Sequence, residues 1–298
     1  MKNKQFKLVI ASGKGGVGKS ILTSALAMLF AKRKKIVVVD ADVDAPNLAI
    51  WLNQISDEDI QFSKRISTSF KAVIDQEKCN GCGKCVESCV FQALEIKNNR
   101  VKLNPFLCEG CGVCQIVCPK KAIDLKTIIN GQIKIIRTKY GFSLVTGQLF
   151  PGETGSGKIV AEIKKQAEVN SQYELMLIDS APGTGCPVIA SLQDAHLAIL
   201  VTEPTPSGLT DLKRVLEVVK HFQIPYQVVI NKWDINHSLT KKIEKEFADN
   251  FLGKISYDQA IFKAIANLQP ILETKLKAKE EIKEIFSKLI KALEYETN

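Results

Sequence analysis

Short apolar runs and helical patterns alternate at both ends of the chain. The run KLVIA (residues 7–11) is followed directly by glycines, which predicts a buried parallel strand. SILTSALAMLFAKR (20–33) has the apolar periodicity of a helix, and KIVVVDADVD (35–44) gives a second strand that ends in carboxylates. This order predicts a βαβ unit.

The pattern changes between about residues 57 and 138, where short strand-like pieces are divided by Gly and Asn turns. It returns afterwards in the apolar runs LMLIDSAPG, LAILVTEPT, YQVVINKWD and FLGKISYD. We therefore expect a doubly wound, mostly parallel α/β domain built from residues 1–56 and 139–298. A small α+β module of residues 57–138 is expected to be inserted into it.

The C-terminal segment ILETKLKAKEEIKEIFSKLIKALEYETN has a helical pattern. Its apolar positions lie on one face, and Glu alternates with Lys on the other. This mixed polar face favours a helix docked on the domain over one that lies on a membrane surface. The apolar positions are Ile282, Ile285, Phe286, Leu289 and Leu293.

Composition narrows the functional classes. The chain has 298 residues and a formal net charge of +9, but its lysines are scattered among glutamates, so nucleic-acid binding is not expected. The charge would favour docking of an acidic protein partner. No apolar stretch is long enough for a membrane span, and the N-terminal MKNKQFKLVIASGK predicts no secretory signal. We expect a cytoplasmic protein whose nine cysteines bind metal rather than form disulfides.

GKGGVGKS (13–20) has the spacing of a phosphate-binding P-loop between a strand and a helix. Its glycines let backbone N–H groups surround phosphate oxygens, and the helix N-terminus adds positive potential. Lys19 is expected to reach the β- and γ-phosphates, and Ser20 to bind Mg²⁺. The predicted nucleotide-binding residues here are Gly13, Lys14, Gly15, Gly16, Val17, Gly18, Lys19, Ser20 and Ile21.

The additional lysine, Lys14, gives KGGVGKS a resemblance to the deviant Walker A loop of the MinD/ParA/Mrp/nitrogenase-iron-protein class of P-loop ATPases. The resemblance implies a dimer with nucleotide between its subunits, in which Lys14 acts on the partner's nucleotide as an arginine finger does. It also implies that Asp42 lies in switch I and positions the attacking water, with Asp40 supporting the metal shell. A solvated acidic turn is the alternative for both carboxylates.

Two later strand ends complete the expected nucleotide site. Asp179 ends LMLID, which fits a Walker B aspartate in the Mg²⁺ shell. DSAPGTG then gives switch II, in which Gly183 is expected to turn its N–H toward a γ-phosphate. Asn231 and Lys232 lie in NKWD, which has the spacing of a guanine-reading motif and leaves GTP open as the nucleotide. The resemblance instead implies that Asn231 contacts adenine, and it favours ATP.

GETGSGK (152–158) also has P-loop spacing, but Ile159 replaces the Ser or Thr that would bind Mg²⁺. The preceding LVTGQLFP contains Gly147 and Pro151 and predicts a poor buried strand. We therefore expect a flexible loop here, near a dimer interface, rather than a second phosphate site.

Eight cysteines form two runs with the spacing of two-cluster ferredoxins. In that class the fourth cysteine of each run serves the other 4Fe-4S cluster, so the predicted ligand sets are crossed. Zinc is the weaker alternative, because it prefers more widely separated C-x₂-C pairs. Gly81, Gly83, Gly110 and Gly112 would let backbone N–H groups approach the sulfurs. Site one comprises Cys79, Cys82, Cys85 and Cys118; site two comprises Cys108, Cys111, Cys114 and Cys89.

Two details remain outside this pattern. Val90 stands where the first run of such ferredoxins usually has proline, which removes no ligand. Cys186 lies just past switch II; a small buried side chain is the default interpretation, and a thiol that binds or senses metal at a dimer interface is the alternative.

Taken together, the motifs are similar to those of MinD-superfamily ATPases with an inserted two-cluster ferredoxin domain. Three functions follow from the resemblance. The first is an ATPase that couples nucleotide state to electron transfer or to docking of a protein redox partner, as a homodimer or a heterodimer with a related ATPase. The second is an Mrp-type iron–sulfur carrier, although no cysteine follows Cys186. The third is a MinD- or ParA-like spatial organiser with structural clusters.

Overall fold

The computed structural model describes residues 5–295. Residues 1–4 of the expected non-secretory N-terminus and residues 296–298 of the C-terminal segment lie outside the described residues. The strands are β1 (Phe6–Ser12), β2 (Ile36–Ala41), β3 (Ile60–Ile66), β4 (Ser69–Ile74), β5 (Leu94–Lys97), β6 (Arg100–Leu103), β7 (Ile123–Ile128), β8 (Gly131–Arg137), β9 (Ser143–Leu149), β10 (Leu175–Pro182), β11 (Leu197–Thr202), β12 (Tyr226–Asn231) and β13 (Phe251–Ile255). The α-helices are α1 (Lys19–Phe30), α2 (Leu48–Trp51), α3 (Lys84–Glu87), α4 (Val113–Ile116), α5 (Ser156–Asn170), α6 (Cys186–Leu192), α7 (Pro206–His221), α8 (His237–Glu246), α9 (Ala260–Ala266) and α10 (Lys277–Tyr295).

One large sheet organises the described part of the chain. Its strand order is β13-β12-β11-β1-β10-β2-β9-β8-β3. The pairs from β13 to β9 are parallel, and β8 and β3 continue the sheet in antiparallel pairs. The expected α/β architecture with a mostly parallel sheet is therefore confirmed. Strand order reverses around β1, and ligands of such sheets bind beyond the carboxyl ends of the strands at that point.

Helices cover both faces of this sheet because its central strands are apolar on both sides. In β1, Leu8 and Ile10 pack toward α1 and α10, whereas Val9 and Ala11 pack toward α5, α6 and α7. Each fully buried aliphatic side chain of this kind contributes roughly 1.5–3 kcal/mol relative to an exposed one. The two layers hold the strand ends that carry the nucleotide-site residues.

The C-terminal helix α10 docks on the sheet, as its apolar face predicts. Ile282 and Leu289 are fully buried, and Phe286 meets Phe30 of α1 edge to face at 4.9 Å. Ile285 packs over β13, where a Cβ added to Gly253 would lie 2.5 Å from it. No helix within residues 5–295 combines the length and the apolar character needed to cross a membrane.

The expected insert of residues 57–138 includes two strands that belong to the large sheet. β3 pairs with β8, and β8 pairs with β9. Ile133 and Ile135 of β8 are buried in the same core as α5, which explains why β8 joins this sheet. Residues 69–128, called here the cysteine segment, form two small sheets of their own, β4 with β7 and β5 with β6. A small third core lies between them.

The expectation of a poor strand at 144–151 followed by a flexible loop at 152–158 is wrong in two respects. β9 lies inside the sheet between β2 and β8, and Gly147 is needed there because a Cβ would meet Ile159 and Ile163 of α5 at 2.9 Å. Residues 156–158 belong to the first turn of α5. The remaining turn, residues 150–155, is called here the β9–α5 loop.

Candidate nucleotide site and cysteine sites

The P-loop joins β1 to α1 and borders a cavity at the carboxyl end of the sheet. Helix α1 begins at Lys19, and Gly18 before it has a left-handed φ of 92°. A Cβ on Gly18 would lie 2.1 Å from Nδ2 of Asn231, so only glycine fits at this point. The loop lines the cavity from Gly15 to Ile21. Gly13 packs against the backbone of Asp211 in α7.

Lys19 and Asp179 meet in the buried part of this site. Nζ of Lys19 lies 3.1 Å from Oδ1 of Asp179, which also accepts a hydrogen bond from Thr23 Oγ1 at 2.8 Å. Oδ2 of Asp179 is buried and makes no hydrogen bond. An orphaned carboxylate oxygen beside a P-loop fits a divalent cation, because buried polar atoms are otherwise paired. Asp179 and Ser20 would hold Mg²⁺ here.

Asp40 orders the loop that carries Asp42. Its Oδ2 accepts a hydrogen bond from the N–H of Leu48 at 2.9 Å, and its Oδ1 accepts one from the N–H of Asp42 at 3.3 Å. Burial and the nearby charge of Asp179 raise the pKa of Asp40 to about 7. Burial also raises the pKa of Asp42, which lines the nucleotide cavity whereas Asp40 lies behind it. A direct metal role for Asp40 stays a prediction.

Lys14 is held within its own chain. Its Nζ lies 2.6 Å from Oε1 of Glu203 and donates a hydrogen bond to Ser207 Oγ at 3.2 Å. The second oxygen of Glu203 pairs with Nζ of Lys232 at 2.9 Å. Burial opposes ionisation of Glu203, but the two lysines outweigh it and keep the pKa of that carboxyl below its usual value. Glu203 was not expected from the sequence as part of the site.

Asn231 and Lys232 support the P-loop from the end of β12. Nδ2 of Asn231 donates to the carbonyl of Val17 at 2.8 Å, and Nζ of Lys232 donates to the carbonyl of Gly16 at 3.1 Å. The predicted contact of Asn231 with a base stays a prediction. Gly183 donates its N–H to the carbonyl of Ser12 at 2.9 Å, so this N–H is engaged within the chain. Cys186, just past switch II, is exposed, so the default interpretation of a small buried side chain is wrong.

The far wall of the cavity was missed by the sequence analysis. It is formed by residues that follow β13 and by two residues of the switch I side. The strand FLGKISYD predicted the position of β13, but no recognisable spacing marks the side chains beyond it. The additional lining residues are Asn47, Trp51, Ile255, Ser256, Tyr257, Asp258, Ile261 and Phe262.

The thiols of site one lie together. Burial raises the pKa of the Cys85 thiol, and the neighbouring thiols of Cys118, Cys79 and Cys82 add to the increase. Cys118 therefore lies among the first three cysteines of the other run, as the crossed set requires. Its Sγ accepts a hydrogen bond from the N–H of Ala122 at 3.3 Å.

Site two is built in the same way. Cys89, Cys108, Cys111 and Cys114 line one shared cavity, although Cys89 belongs to the first run. Burial raises the pKa of the Cys114 thiol, with Cys108 and Cys111 as further causes. The Sγ of Cys89 accepts a hydrogen bond from Ala93 N–H at 3.4 Å.

The thiols fit a bulky group better than a single ion. Within residues 5–295, no three His, Cys, Asp or Glu side chains are close enough together to hold one metal ion. Glycine allows close packing next to the thiols: a Cβ on Gly110 would lie 2.1 Å from the carbonyl oxygen of Phe70, and one on Gly81 would lie 2.2 Å from that of Asn99. The two sets of four thiols would hold 4Fe-4S clusters as cysteine ligands, and this assignment stays a prediction.

Comparison with known proteins decides the family. A family model described as the CobQ/CobB/MinD/ParA nucleotide binding domain matches residues 8–271. This chain belongs to the CobQ/CobB/MinD/ParA family. Nucleotide binding with Mg²⁺ is expected for its P-loop fold, in agreement with the geometry around Asp179.

Three relatives of this family illustrate its range. An uncharacterized protein of Methanocaldococcus jannaschii is 38% identical over 95% of this chain and 96% of its own length. The iron-sulfur cluster carrier protein of the same organism is 25% identical over 99% of this chain and 87% of its own. The solved structure of septum site-determining protein MinD from Pyrococcus horikoshii, complexed with Mg-ADP, covers 97% of both chains with a TM-score of 0.60 and 16% identity. This last likeness shows the fold.

Proposed function

We propose that this protein is a dimeric ATPase that carries two 4Fe-4S clusters and couples its nucleotide state to electron transfer or to docking of a protein redox partner. One observation carries the proposal. Eight thiols lie in two crossed sets of four, in a segment that packs directly against a P-loop nucleotide domain through Ser69 and Lys71. Neither part requires the other for its own chemistry, so their contact points to a coupled function.

ATP is the nucleotide that the residues favour. Lys14 gives the loop the deviant Walker A pattern, and the solved relative with Mg-ADP has the same fold. The NKWD motif keeps GTP as the alternative, but Asn231 is turned to the carbonyl of Val17. In hydrolysis Lys19 would hold the β- and γ-phosphates, and Asp42 would position the attacking water.

Dimerisation gives Lys14 its role. In the single chain Glu203 neutralises Lys14 at 2.6 Å, and this ion pair must open before the lysine can reach a partner's nucleotide. A second copy of the chain or a related ATPase would supply that nucleotide. Hydrolysis is then expected to rise more than linearly with protein concentration, and Lys14→Ala to remove that rise.

The two thiol sets define what the clusters contribute. When bound, two 4Fe-4S clusters exchange single electrons with a protein partner. Cys82 and Cys111, one from each set, are exposed and lie on the surface that such a partner meets. The protein supplies buried thiols, N–H donors to sulfur and glycine space around them.

Anaerobic purification followed by iron analysis and electron paramagnetic resonance tests the proposal. We expect about eight irons per chain, as two 4Fe-4S clusters require. Reduction of the clusters or retention of a native redox partner should differ among ATP, ADP and nucleotide-free protein. Identical behaviour in all three states would contradict coupling, and fewer clusters would contradict the assignment of the thiols.

An iron–sulfur carrier of the Mrp type is the second candidate. It is favoured by the likeness to the iron-sulfur cluster carrier protein of Methanocaldococcus jannaschii. Against it, Cys85 and Cys108 are buried, which suits retained clusters more than released cargo. Incubation of the loaded protein with an apo-acceptor separates the two: transfer of iron and sulfide to the acceptor favours a carrier, and retention favours electron transfer.

A further inference from the structure

The β9–α5 loop, called here the platform, contacts the cysteine segment and the residues next to it. The carbonyl of Thr154 accepts a hydrogen bond from Nδ2 of Asn130 at 2.8 Å, and its Oγ1 lies 3.1 Å from Ser69 Oγ. Glu153 pairs with Lys71 of β4 at 2.7 Å, and the Lys71 side chain is only 11% exposed. An ion pair this sheltered from water holds its geometry better than an exposed one.

Residues next to site two contact both the platform and the first turn of α5. The ring of Phe70 lies under Nζ of Lys158, at 5.7 Å from the nitrogen to the ring centre. The carbonyl of Phe70 in turn lies against Gly110, between two of the site-two cysteines. Phe106, two residues before Cys108, packs against Gly152 of the loop. Site two is therefore called here the near site, because its neighbours contact the platform and α5.

Site one lies beside the β5–β6 hairpin. Gly81 packs against the backbone of Asn99, and Gly83 packs against Ile96. Both neighbours belong to the β5–β6 hairpin, whose strands pair only with each other. Site two differs because its neighbours Phe70 and Phe106 also contact Lys158 and Gly152, which lie outside the cysteine segment.

Helix α5 carries the platform toward the nucleotide site. A Cβ on Gly157 would lie 3.0 Å from both Cβ and the carbonyl oxygen of Cys186, so α5 and α6 are in direct contact at their first turns. Further along, Nζ of Lys164 donates to the carbonyls of Ala190 at 2.8 Å and Gln193 at 2.6 Å. Lys164 thereby closes the C-terminus of α6.

Helix α6 begins directly after switch II. It starts at Cys186, three residues beyond Gly183, whose N–H is bound to the P-loop strand at Ser12. Any movement of Gly183 toward a γ-phosphate must break that bond and shift the start of α6. Closely packed helices respond to such shifts as rigid bodies, because their interfaces have few alternative packings.

We propose that α6, α5 and the β9–α5 loop transmit the nucleotide state from switch II to site two, and leave site one unaffected. This proposal rests on the function proposed above. It adds the structural elements that link the nucleotide to the cysteine segment and the site that they affect. It also accounts for GETGSGK: the glycines serve close packing against Cys186 and Phe106, and a second phosphate site is not needed to explain them.

Gly157→Ala tests the route in the intact, anaerobically prepared protein. The added methyl group should separate α5 from α6, while alanine favours the helix, so folding should be retained. The readout is the rate at which an iron chelator removes iron with ATP, with ADP and without nucleotide. We expect ATP to change the rate for half of the iron by at least about threefold in the unaltered protein, and Gly157→Ala to abolish the change. ATP hydrolysis should stay within about twofold.

Lys165→Ala is the matched control. It introduces alanine into the same helix α5, but at a position that is exposed to solvent. The ATP effect should persist in this variant. Glu153→Gln provides a second test in case Gly157→Ala does not fold, and it should reduce the ATP effect by removing the ion pair with Lys71.

The two sites are separated by removing one ligand of each. Cys118→Ser should lose site one and keep the ATP effect, whereas Cys89→Ser should lose site two and the effect with it. An ATP effect that survives both Gly157→Ala and Glu153→Gln would overturn the route, and an effect confined to site one would overturn the target. Absence of any ATP effect in the unaltered protein would instead contradict the proposed function itself.

Discussion

Site one and site two share one cysteine spacing but lie in different surroundings. The cysteine segment has two halves, one around each cysteine run, whose corresponding positions are 29 residues apart. At four positions the first half has an exposed charged residue where the second half has an exposed apolar residue. Phe106 is 72% exposed and Leu107 46%, whereas their counterparts are Glu77 and Lys78. The corresponding pairs are Glu77 and Phe106, Lys78 and Leu107, Lys84 and Val113, and Glu87 and Ile116.

The pattern reverses after the fourth cysteine of each run. Phe91 follows Cys89, and Lys120 follows Cys118. Because Cys89 contributes to site two, Phe91 lines the cavity of that site. Val113 of the second half lines the same cavity, so each half contributes one of these apolar residues to site two. A cluster in an apolar setting differs in potential and in access from one in a polar setting, so we expect clusters bound at the two sites to have different properties.

Paired cysteine substitutions give the largest expected effect and test the crossing directly. Cys89→Ser with Cys108→Ser should leave about half of the iron, because both belong to site two. Cys89→Ser with Cys79→Ser should leave almost none, because the pair damages both sites. The measurement is iron and sulfide content after anaerobic purification. The reverse order, with about half of the iron kept by Cys89→Ser with Cys79→Ser and almost none by Cys89→Ser with Cys108→Ser, would show that the ligand sets are not crossed.

Substitution of alanine for equivalent glycines should disrupt site two more than site one. Gly110 and Gly81 both have positive φ, and an added Cβ would meet a backbone oxygen in each case, at 2.1 and 2.2 Å. For Gly110 that oxygen belongs to Phe70 in β4, which is held by the platform. For Gly81 it belongs to Asn99, in the turn of a two-stranded hairpin that can shift. We therefore expect Gly110→Ala to lose site two and Gly81→Ala to retain much of site one.

Iron content and thermal unfolding measure this difference. Gly112→Ala and Gly83→Ala serve as controls, since their nearest contacts are side-chain carbons at 3.4 and 3.2 Å. Each control should cost about 1–2 kcal/mol for its positive φ and keep its cluster. Greater loss from Gly81→Ala than from Gly110→Ala would contradict the assignment of the near site as the more tightly held one.

The residues of the two sites and of the nucleotide cavity differ in how well the sequence predicts them. Local motifs predicted the P-loop and the βαβ unit around it. The spacing of two-cluster ferredoxins predicted that Cys89 belongs to the second set, and this stays a prediction. Glu203 and the far wall around Tyr257 and Phe262 were missed, because distant segments bring them to the site. The same holds for β9, where Gly147 weakened the strand prediction although α5 requires a glycine there.

Exchange of Phe106 and Glu77, which occupy corresponding positions of the two halves, should produce a smaller difference, in the rate of iron release. Phe106→Glu gives the second half the residue of the first and removes the ring that packs on Gly152. Iron release from site two to a chelator should rise about two- to fivefold, which corresponds to about 0.5–1 kcal/mol of lost apolar contact. The reciprocal Glu77→Phe should change release from site one by less than about twofold, because its position contacts no second domain. Equal effects would mean that the platform does not protect site two.

The smallest effect is expected where the halves differ by one charge. Asp75 accepts hydrogen bonds from the N–H groups of Glu77 and Lys78 and pairs with Nζ of Lys78 at 3.0 Å. Its counterpart Asn104 accepts from the N–H of Phe106. The hydrogen bond from the Lys78 side chain, together with those from the two backbone N–H groups, lowers the pKa of Asp75, so its contribution is present at neutral pH and is lost as pH falls through that lowered value.

Asp75→Asn turns the first half into the second at this position and tests how much the charge matters. The ion pair is exposed and screened by water, and an asparagine keeps the backbone hydrogen bonds. The midpoint of thermal unfolding at neutral pH should therefore fall by no more than about one degree. High salt should remove the difference, because it screens the ion pair in the unaltered protein. A larger, salt-resistant loss would mean that the carboxylate supports site one by a contact that Asn104 does not make, and the two halves would then differ in their frame as well as in their surface.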